Sequence, residues 1–402
     1  MKKQLIIGTL ISTGLIAPAV LASTMDDRVE KLEKEIADLK QQQSATVKTG
    51  GVQISVGGYI KMNAMISDYS DGQSATAGIG EDFLVPSTIP TTGPDGHPKV
   101  NMDAKASRVY LKMTSPTANG TIKGYVEIDF EGSSQGDERI SNSYSPRLRH
   151  AFLEWNNWLA GQTWSTFFNT SALPDVLDFV GPVGTIFVRQ PQIRYTTGNF
   201  QVAVENPSST IYGGAENPFD DNTVPDVIGR YNFTVNKAAF SLAVMGRELA
   251  YETATTKESE VGYAVSFAGK IPVGNNGDDI RLMLNQGNAL GRYMALNGFR
   301  SGVINADGSI DLIDEWGVFA AYRHPWNSQW RSSLVLSTAQ ADNPTAAGTS
   351  AAKQYDSVHT NLIFSPTSGL DVGAELMYGR KELESGDSGS LTRLQLTAIY
   401  KF

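Results

Sequence analysis

The sequence of 402 residues contains no cysteine, which excludes disulfides and thiol chemistry from any account of it. Its four histidines, His97, His150, His324 and His359, do not stand at metal-ligand spacing. No serine lies in a nucleophile elbow, and "GYAVSFAGK", the nearest thing to a glycine-rich phosphate loop, has the wrong spacing. "NADGSID" at 305–311 has the oxygen pattern of a calcium loop, but Trp316 occupies its twelfth position, where a bidentate Glu is required. An Asp-Gly turn explains that stretch, and the acids of "NPFDDNTVPD" are equally unspecific as cation ligands. No enzyme, resident metal, cofactor or nucleic-acid partner is expected.

Long apolar runs are also missing, except at the very start, so membrane-crossing helices are excluded elsewhere. Hydrophobic residues still make up 41% of the chain against 19% charged, with 39 glycines and a mean hydropathy of −0.22. Apolar residues scattered singly among polar ones mean many half-buried strands or an apolar outer surface.

The start, "MKKQLIIGTLISTGLIAPAVLAS", has Lys2 and Lys3, an apolar stretch from Leu5 to Ile16, Pro18, and small residues around Ala22. That is the pattern of a cleaved secretory signal over residues 1–22. Its removal would take both lysines and move the formal charge from −9 to −11. Next, in "MDDRVEKLEKEIADLKQQQ", Met25, Val29, Leu32, Ile36 and Leu39 recur at spacings of four and three. This is an a/d seam, so residues 23–46 are expected to form a short coiled-coil helix. Arg28 with Glu33, and Glu35 with Lys40, can pair across such a seam. Two heptads are marginal alone, and their β-branched a and Leu d positions favour two strands over three.

From Val52 the period changes to two. Val52, Ile54, Val56, Gly58, Ile60, Met62, Ala64 and Ile66 alternate with mostly polar residues, a length that crosses a bilayer at a tilt. The pattern recurs about sixteen times between 52 and 402, predicting an all-β transmembrane antiparallel barrel over residues 47–402. Short turns such as "WNNW", "TTGN", "VNKA" and "SPTSG" alternate with long polar connections at 68–101, 206–225, 288–311 and 341–353. An outer-membrane barrel has short turns on its periplasmic side and long loops outside, and an even strand number puts both termini on the periplasmic side. Trp155, Trp158, Trp326, Trp330, Tyr400 and Phe402 fall at the short-turn ends, where an interfacial aromatic girdle belongs. The closing "TAIYKF" resembles the last strand of bacterial outer-membrane barrels, whose terminal aromatic, here Phe402, is read by the barrel-assembly machinery.

One stretch breaks the strand rhythm. Residues 161–196 include Pro174, Gly181, Pro182 and Gly184, which no ladder tolerates, yet the segment is rich in Phe, Leu and Val. A barrel of this size leaves an aqueous lumen, so residues 165–187 are expected to fold inward as a constriction loop carrying Asp175, Asp178 and Phe179, with Trp164 at its root.

"LRHAFLEWNNWLAGQTWSTF", "ALPDVLDFVGP" and "IFVRQPQIRYT", preceded by "VGGYIKMNAM", resemble the DcaP family of trimeric outer-membrane porins across essentially the whole mature chain. The resemblance implies a homotrimer of sixteen-stranded barrels and a periplasmic coiled coil. It also implies passive uptake of small negatively charged solutes, dicarboxylic acids among them, in a membrane of lipid and lipopolysaccharide. Parity agrees with an arginine-bearing lumen. Arg108, Lys112, Arg230, Arg247 and Arg281 oppose the apolar faces of their strands; Arg147 and Arg149 share a face with Ala151, and Arg194 shares one with Gln190 and Gln192. Arg189 has the opposite parity and belongs where loop becomes strand. Guanidinium groups suit transient capture of carboxylates, and acids on the inward loop would set up a transverse field. The arginines could equally be solvated lining that balances Glu127, Asp129, Glu205 and Glu375. A general or cation-preferring diffusion porin, and a barrel serving mainly as a structural anchor or adhesin, stay open.

Overall fold

The computed structural model describes residues 46–73, 78–132, 141–213 and 221–402. The expected leader at 1–22 and nearly all of the expected helix at 23–46 lie outside these residues. The unit Ser44–Phe402 contains the barrel. Its strands are β1 (Val52–Tyr69), β2 (Lys99–Asp103, resumed at Arg108–Thr117), β3 (Gly120–Asp129), β4 (Arg147–Trp155), β5 (Trp158–Trp164), β6 (Arg189–Thr197), β7 (Phe200–Glu205) and β8 (Asp226–Val235). They continue with β9 (Ala238–Glu252), β10 (Lys257–Val273), β11 (Asp278–Gly287), β12 (Asp314–Pro325), β13 (Trp330–Asp342), β14 (Ala352–Thr367), β15 (Leu370–Leu383) and β16 (Ser388–Lys401).

Each strand pairs antiparallel with its neighbour in sequence, and β16 returns to β1 with Tyr59 opposite Lys401 and Tyr69 opposite Leu391. Gly58 and Phe402 exchange both of their backbone hydrogen bonds, at 3.0 and 3.1 Å. The edge of β1 below that point is taken by the short strand Thr46–Thr49, which pairs with Val52–Ser55. β2 is interrupted at 104–107, and there the Ser107 hydroxyl accepts from Lys61 N and donates to Lys61 O, replacing the missing ladder bonds. No sheet edge is left unpaired around the seam, as a hydrocarbon environment demands.

The alternation seen in the sequence has its physical meaning inverted. The apolar face of each strand is outside: Ile60, Met62, Ile66, Val372, Leu376, Leu394 and Leu396 are all exposed, while Lys61, Asn63, Glu127, Asp129, Glu375, Arg393 and Gln395 are buried within. Seven connections, at 118–119, 156–157, 198–199, 236–237, 274–277, 326–329 and 368–369, are tight turns gathered on one rim. Asn156 and Asn236 take left-handed φ of 52° and 54° there, which two-residue hairpin turns require. The opposite rim carries the long connections, although 253–256 and 384–387 are as short as the turns. Two of the long ones meet in a small three-stranded sheet of Ile211–Tyr212, Gly302–Ile304 and Ile310–Leu312. Trp155, Trp158, Trp326, Trp330, Tyr400 and Phe402 ring the tight-turn rim on the outside, with Trp158 tilted against Tyr195 at 4.8 Å and Trp330 stacked on Phe364 at 4.6 Å.

The β1–β16 register yields a direct test, because the chain has no native cysteine to interfere. Met62 and Ala398 are Cα partners on the outer face, a separation that a disulfide spans. The pair Met62→Cys and Ala398→Cys is expected to close a disulfide on oxidation, read by mass and by non-reducing gel mobility. Met62→Cys with Leu396→Cys, one register step away, should close far less.

An arginine wall facing an inward loop

The connection from β5 to β6 leaves Trp164 and lies against the inner wall for most of its length. Its anchors follow the barrel round. Thr166 N donates to Glu205 at the end of β7, Arg230 of β8 donates to Phe168 O, and Asn169 donates to Ser241 of β9. Arg281 of β11 donates to Leu173 O, and Asp175 accepts from Arg323 of β12 at 3.1 Å and Arg331 of β13 at 2.8 Å. Leu177 N donates to Glu375 of β15, while Leu177 O accepts from Lys61 of β1 and Gln395 of β16. On the way back Val183 and Gly184 donate to Ser357 and Ser337. Gly184 presses so closely on β12 that a Cβ there would come within 2.5 Å of Val318 O, and Gly317 faces it from the wall. The second long connection joins in: Phe187 N donates to Tyr293 O, Ala295 N donates to Thr185 O, and Ile186 bridges Met294.

The loop is anchored round the wall from β7 to β1 and stands off the sector of β2 to β5, where Arg108, Arg147 and Arg149 converge with Arg189 at the start of β6. Arg147 grips Asp129 with two hydrogen bonds of 2.9 Å, and Arg149 spans Glu127 at 2.7 Å and Asp129 at 2.9 Å. Arg108 lies 3.4 Å from Glu127 and over the Tyr59 ring. Arg189 stacks on Trp164 at 4.5 Å and Phe187 at 5.6 Å, within the field of Arg149 and Arg147. Three of the four guanidiniums therefore share the carboxylates of Glu127 and Asp129. Arg189 has no ion pair among the described residues, and its Nη1 is buried without an acceptor. Phe179, at the turn of the loop, faces this wall 5.6 Å from Arg147 and 5.3 Å from Arg149, backed by Phe83.

The face shared by Arg147 and Arg149 differs from simple parity. Glu127 pairs with His150 and Ile128 with Leu148, so Arg149 is the extra residue of a β-bulge. The bulge turns Arg149 and His150 inward side by side and sends Ala151 to the outer parity with exposed Leu153 and Trp155. His150 thereby reaches Thr163 at 3.0 Å and packs against Trp164. No pattern in the residues marks a bulge of this kind.

The remaining predicted residues lie elsewhere. Arg194 and Arg230 are electrostatic neighbours nearer the tight-turn rim. Arg281 is held by Asp279 at 2.6 Å and by the loop, Arg247 is buried against Asp226, and Lys112 lies over Tyr110. Asp178 is buried and spent on backbone: it accepts from Leu84, Val180 and Gly181, so it caps the turn that presents Phe179. Asp175 serves Arg323 and Arg331. Glu127, Asp129, Tyr59 and His150 complete the wall, and inward parity opposite the arginines was the available sign of the first two.

Just above the wall, in the connection after β3, Glu131 is fully buried, and neither carboxylate oxygen has a hydrogen-bond partner among the described residues. Burial pushes its carboxyl up to about 8, reinforced by Asp103, Asp82 and Asp129 and opposed by Arg147. Among the described residues no group of three or more acids or histidines is arranged to hold a metal ion.

A closed sixteen-stranded barrel with an apolar exterior, a polar lumen and an inward loop between strands five and six defines the porin class of outer-membrane channel. The model of the DcaP outer membrane protein family matches residues 35–402, and the chain belongs to that family. The crystal structure of the outer-membrane channel DcaP of Acinetobacter baumannii is similar, at 24% identity and a TM-score of 0.76 over 89% of this chain and all of that one. OmpT of Vibrio cholerae (13% identity, TM-score 0.53) and Salmonella typhi OmpF in complex with daunomycin (10%, 0.55) share the fold over 89% of this chain and all of theirs. No curated protein matches the chain. The protein resides in the outer membrane, and family and fold point to a transporter rather than an enzyme.

Two outcomes follow from this geometry. Asp175→Asn removes the negative charge that pairs with two partly buried arginines and leaves only a neutral amide acceptor, a loss of about 1–3 kcal/mol of loop anchoring, and is expected to raise open-channel noise and conductance in single-channel recordings. Glu131 has a folded-state value above its ordinary 4.5, so the folded state binds the extra proton and stability declines as pH rises from about 4.5 through about 8. Glu131→Gln should flatten that decline, measured as urea midpoints of the detergent-solubilised barrel at pH 6 and pH 9.

Proposed function

We propose that this protein is a homotrimeric porin through which small negatively charged organic solutes, dicarboxylates foremost, diffuse passively past the wall of Arg108, Arg147, Arg149 and Arg189. The observation that carries the reading is Arg189. A guanidinium lodged against Trp164, beside three further arginines and without an acceptor of its own, is a site where a carboxylate gains charge-assisted hydrogen bonds without displacing an internal ion pair. The paired arginines Arg147 and Arg149 keep their planes fixed by Asp129 and Glu127, so a solute would meet preorganised donors. Binding at such a site remains compatible with release because the competing carboxylates are already in place.

The tight-turn rim, with both the short strand Thr46–Thr49 and Phe402 near it, is assigned to the periplasmic side, and the long connections to the side bearing lipopolysaccharide. Phe402 projects on the outer face of the closing strand, a position suited to reading by the assembly machinery. Residues 1–22 are assigned as the signal and 23–46 as the periplasmic coiled coil, with the barrels setting the trimer.

The deciding measurement is the reversal potential of the purified protein in a planar bilayer under a salt gradient, repeated with succinate on one side. Anion preference with succinate-induced flicker is expected, and Arg189→Gln should lower the anion-to-cation permeability ratio by roughly two- to threefold with the barrel intact. Cation preference without flicker would support a general diffusion porin instead.

A further inference from the structure

The anion path does not end at the arginine wall. On β6, Arg194 lies five residues beyond Arg189 towards the tight turn, roughly 17 Å at the rise of a strand. The inward-facing row around it is Gln192 on its own strand and Gln201 and Ala203 on β7, with Arg230 next on β8 opposite Gln201. Arg230 spends Nε on Asn232 and Nη1 on Phe168 O, both neutral partners. The nearest charge it feels is Arg194, and neither arginine is within ion-pair distance of a carboxylate among the described residues. Two acids act on Arg194 from beyond ion-pair distance: Glu205, which is buried and already engaged by Thr166 N and Gln190, and Glu154 on β4, which pairs with Lys123 at 3.8 Å.

Arg230, with neutral hydrogen-bond partners and a second guanidinium as its charged neighbour, leaves a net positive potential on this part of the lumen that a mobile anion would neutralise. Beside Arg230 is a cavity of about 250 Å³ whose polar lining is Asn169 and Ser171 of the loop, Asn199, Asn232 and Thr234. It offers hydrogen-bond donors and no acid, and it opens below the loop segment that Arg230 holds by the Phe168 carbonyl. The wall at Arg189 is above that segment, at the root of the loop.

Resting on the anion-porin reading, we infer that Arg194 and Arg230 with Asn232 form a second, separate anion-binding station on the tight-turn side of the inward loop, which takes the carboxylate released by the arginine wall. Two weak stations let a multivalent anion be held loosely at each and handed on, where one deep site would trap it. The loop between them carries the Phe168 carbonyl that fixes Arg230, so the geometry of the lower station depends on the anchoring of the loop.

The test uses succinate-induced current flicker in single trimers at varied voltage, since two sites at different depths give two components of different voltage dependence whichever way a trimer inserts. The wild type is expected to show both components. Arg194→Gln with Arg230→Gln should weaken one by about tenfold and leave the other within about twofold, whereas Arg189→Gln should do the reverse. Arg194→Lys with Arg230→Lys, which keeps the charge, should retain most of the affected component, and unchanged migration of the unheated protein on semi-native gels reports that each variant is folded. A single component in the wild type, or both sets of variants weakening the same component, overturns the second station while leaving the anion porin standing. Cation preference with no flicker in any protein overturns both.

Discussion

The pairing of β1 with β16 is the constraint on which everything else rests. In hydrocarbon an unpaired N–H or C=O costs several kcal/mol, so a sheet of this size survives only as a closed ladder. Gly58 and Phe402 exchange both hydrogen bonds at the seam, and the short strand Thr46–Thr49 takes over the edge where β16 ends. Even the interruption of β2 at 104–107 is repaired, by the Ser107 hydroxyl. With closure secured, no disulfide is needed in an exported chain.

Closure also inverts the ordinary logic of burial. Most strand leucine, isoleucine and valine face outward, and the interior is shared between polar groups such as Asn63, Glu375, Arg393 and Gln395 and a smaller apolar set that includes Ile228, Met283 and Phe319. The wall residues alone are too few and too far apart across a barrel of this width to fill it by hydrophobic packing. The loop after β5 does the filling: Phe167, Phe168, Val180, Val183 and Ile186 make an apolar cluster with residues of the opposite loop and with inward wall residues such as Met245, Met283 and Phe319, and its backbone groups are satisfied by wall side chains one strand after another. The result is asymmetric, because the loop is tied to β7 through β1 and stands opposite β2 to β5.

That asymmetry places the charge. Arginines bonded to the loop, such as Arg281, Arg323 and Arg331, are structural partners of its backbone or of Asp175. The transverse field anticipated from Asp175 and Asp178 takes another form: Asp175 is paired on the far wall, Asp178 caps the turn, and Phe179 meets the arginines. Polarity across the passage therefore comes from the wall itself, where Glu127 and Asp129 orient three guanidiniums and Arg189 is left over. The wall thus carries a net positive charge and is backed by the aromatic rings of Trp164, Phe179 and Phe187.

The period-two alternation from Val52 to Phe402 was enough to determine a sixteen-stranded barrel, its two unlike rims and the inward fate of an apolar, proline-broken segment. These are legible because strand periodicity, turn chemistry and solvent preference are local properties, repeated in each hairpin. Parity likewise placed Arg108, Arg230 and Arg281 inside. Tertiary structure alone decided which arginines act together. Arg189 reaches the wall because Trp164 turns inward at the loop root, Arg149 and His150 adjoin because of one extra residue opposite Glu127, and Arg194 joins Arg230 across an intervening strand. Each of these depends on register and on the course of a loop over distant strands. Such long-range relations leave no periodic trace in the chain.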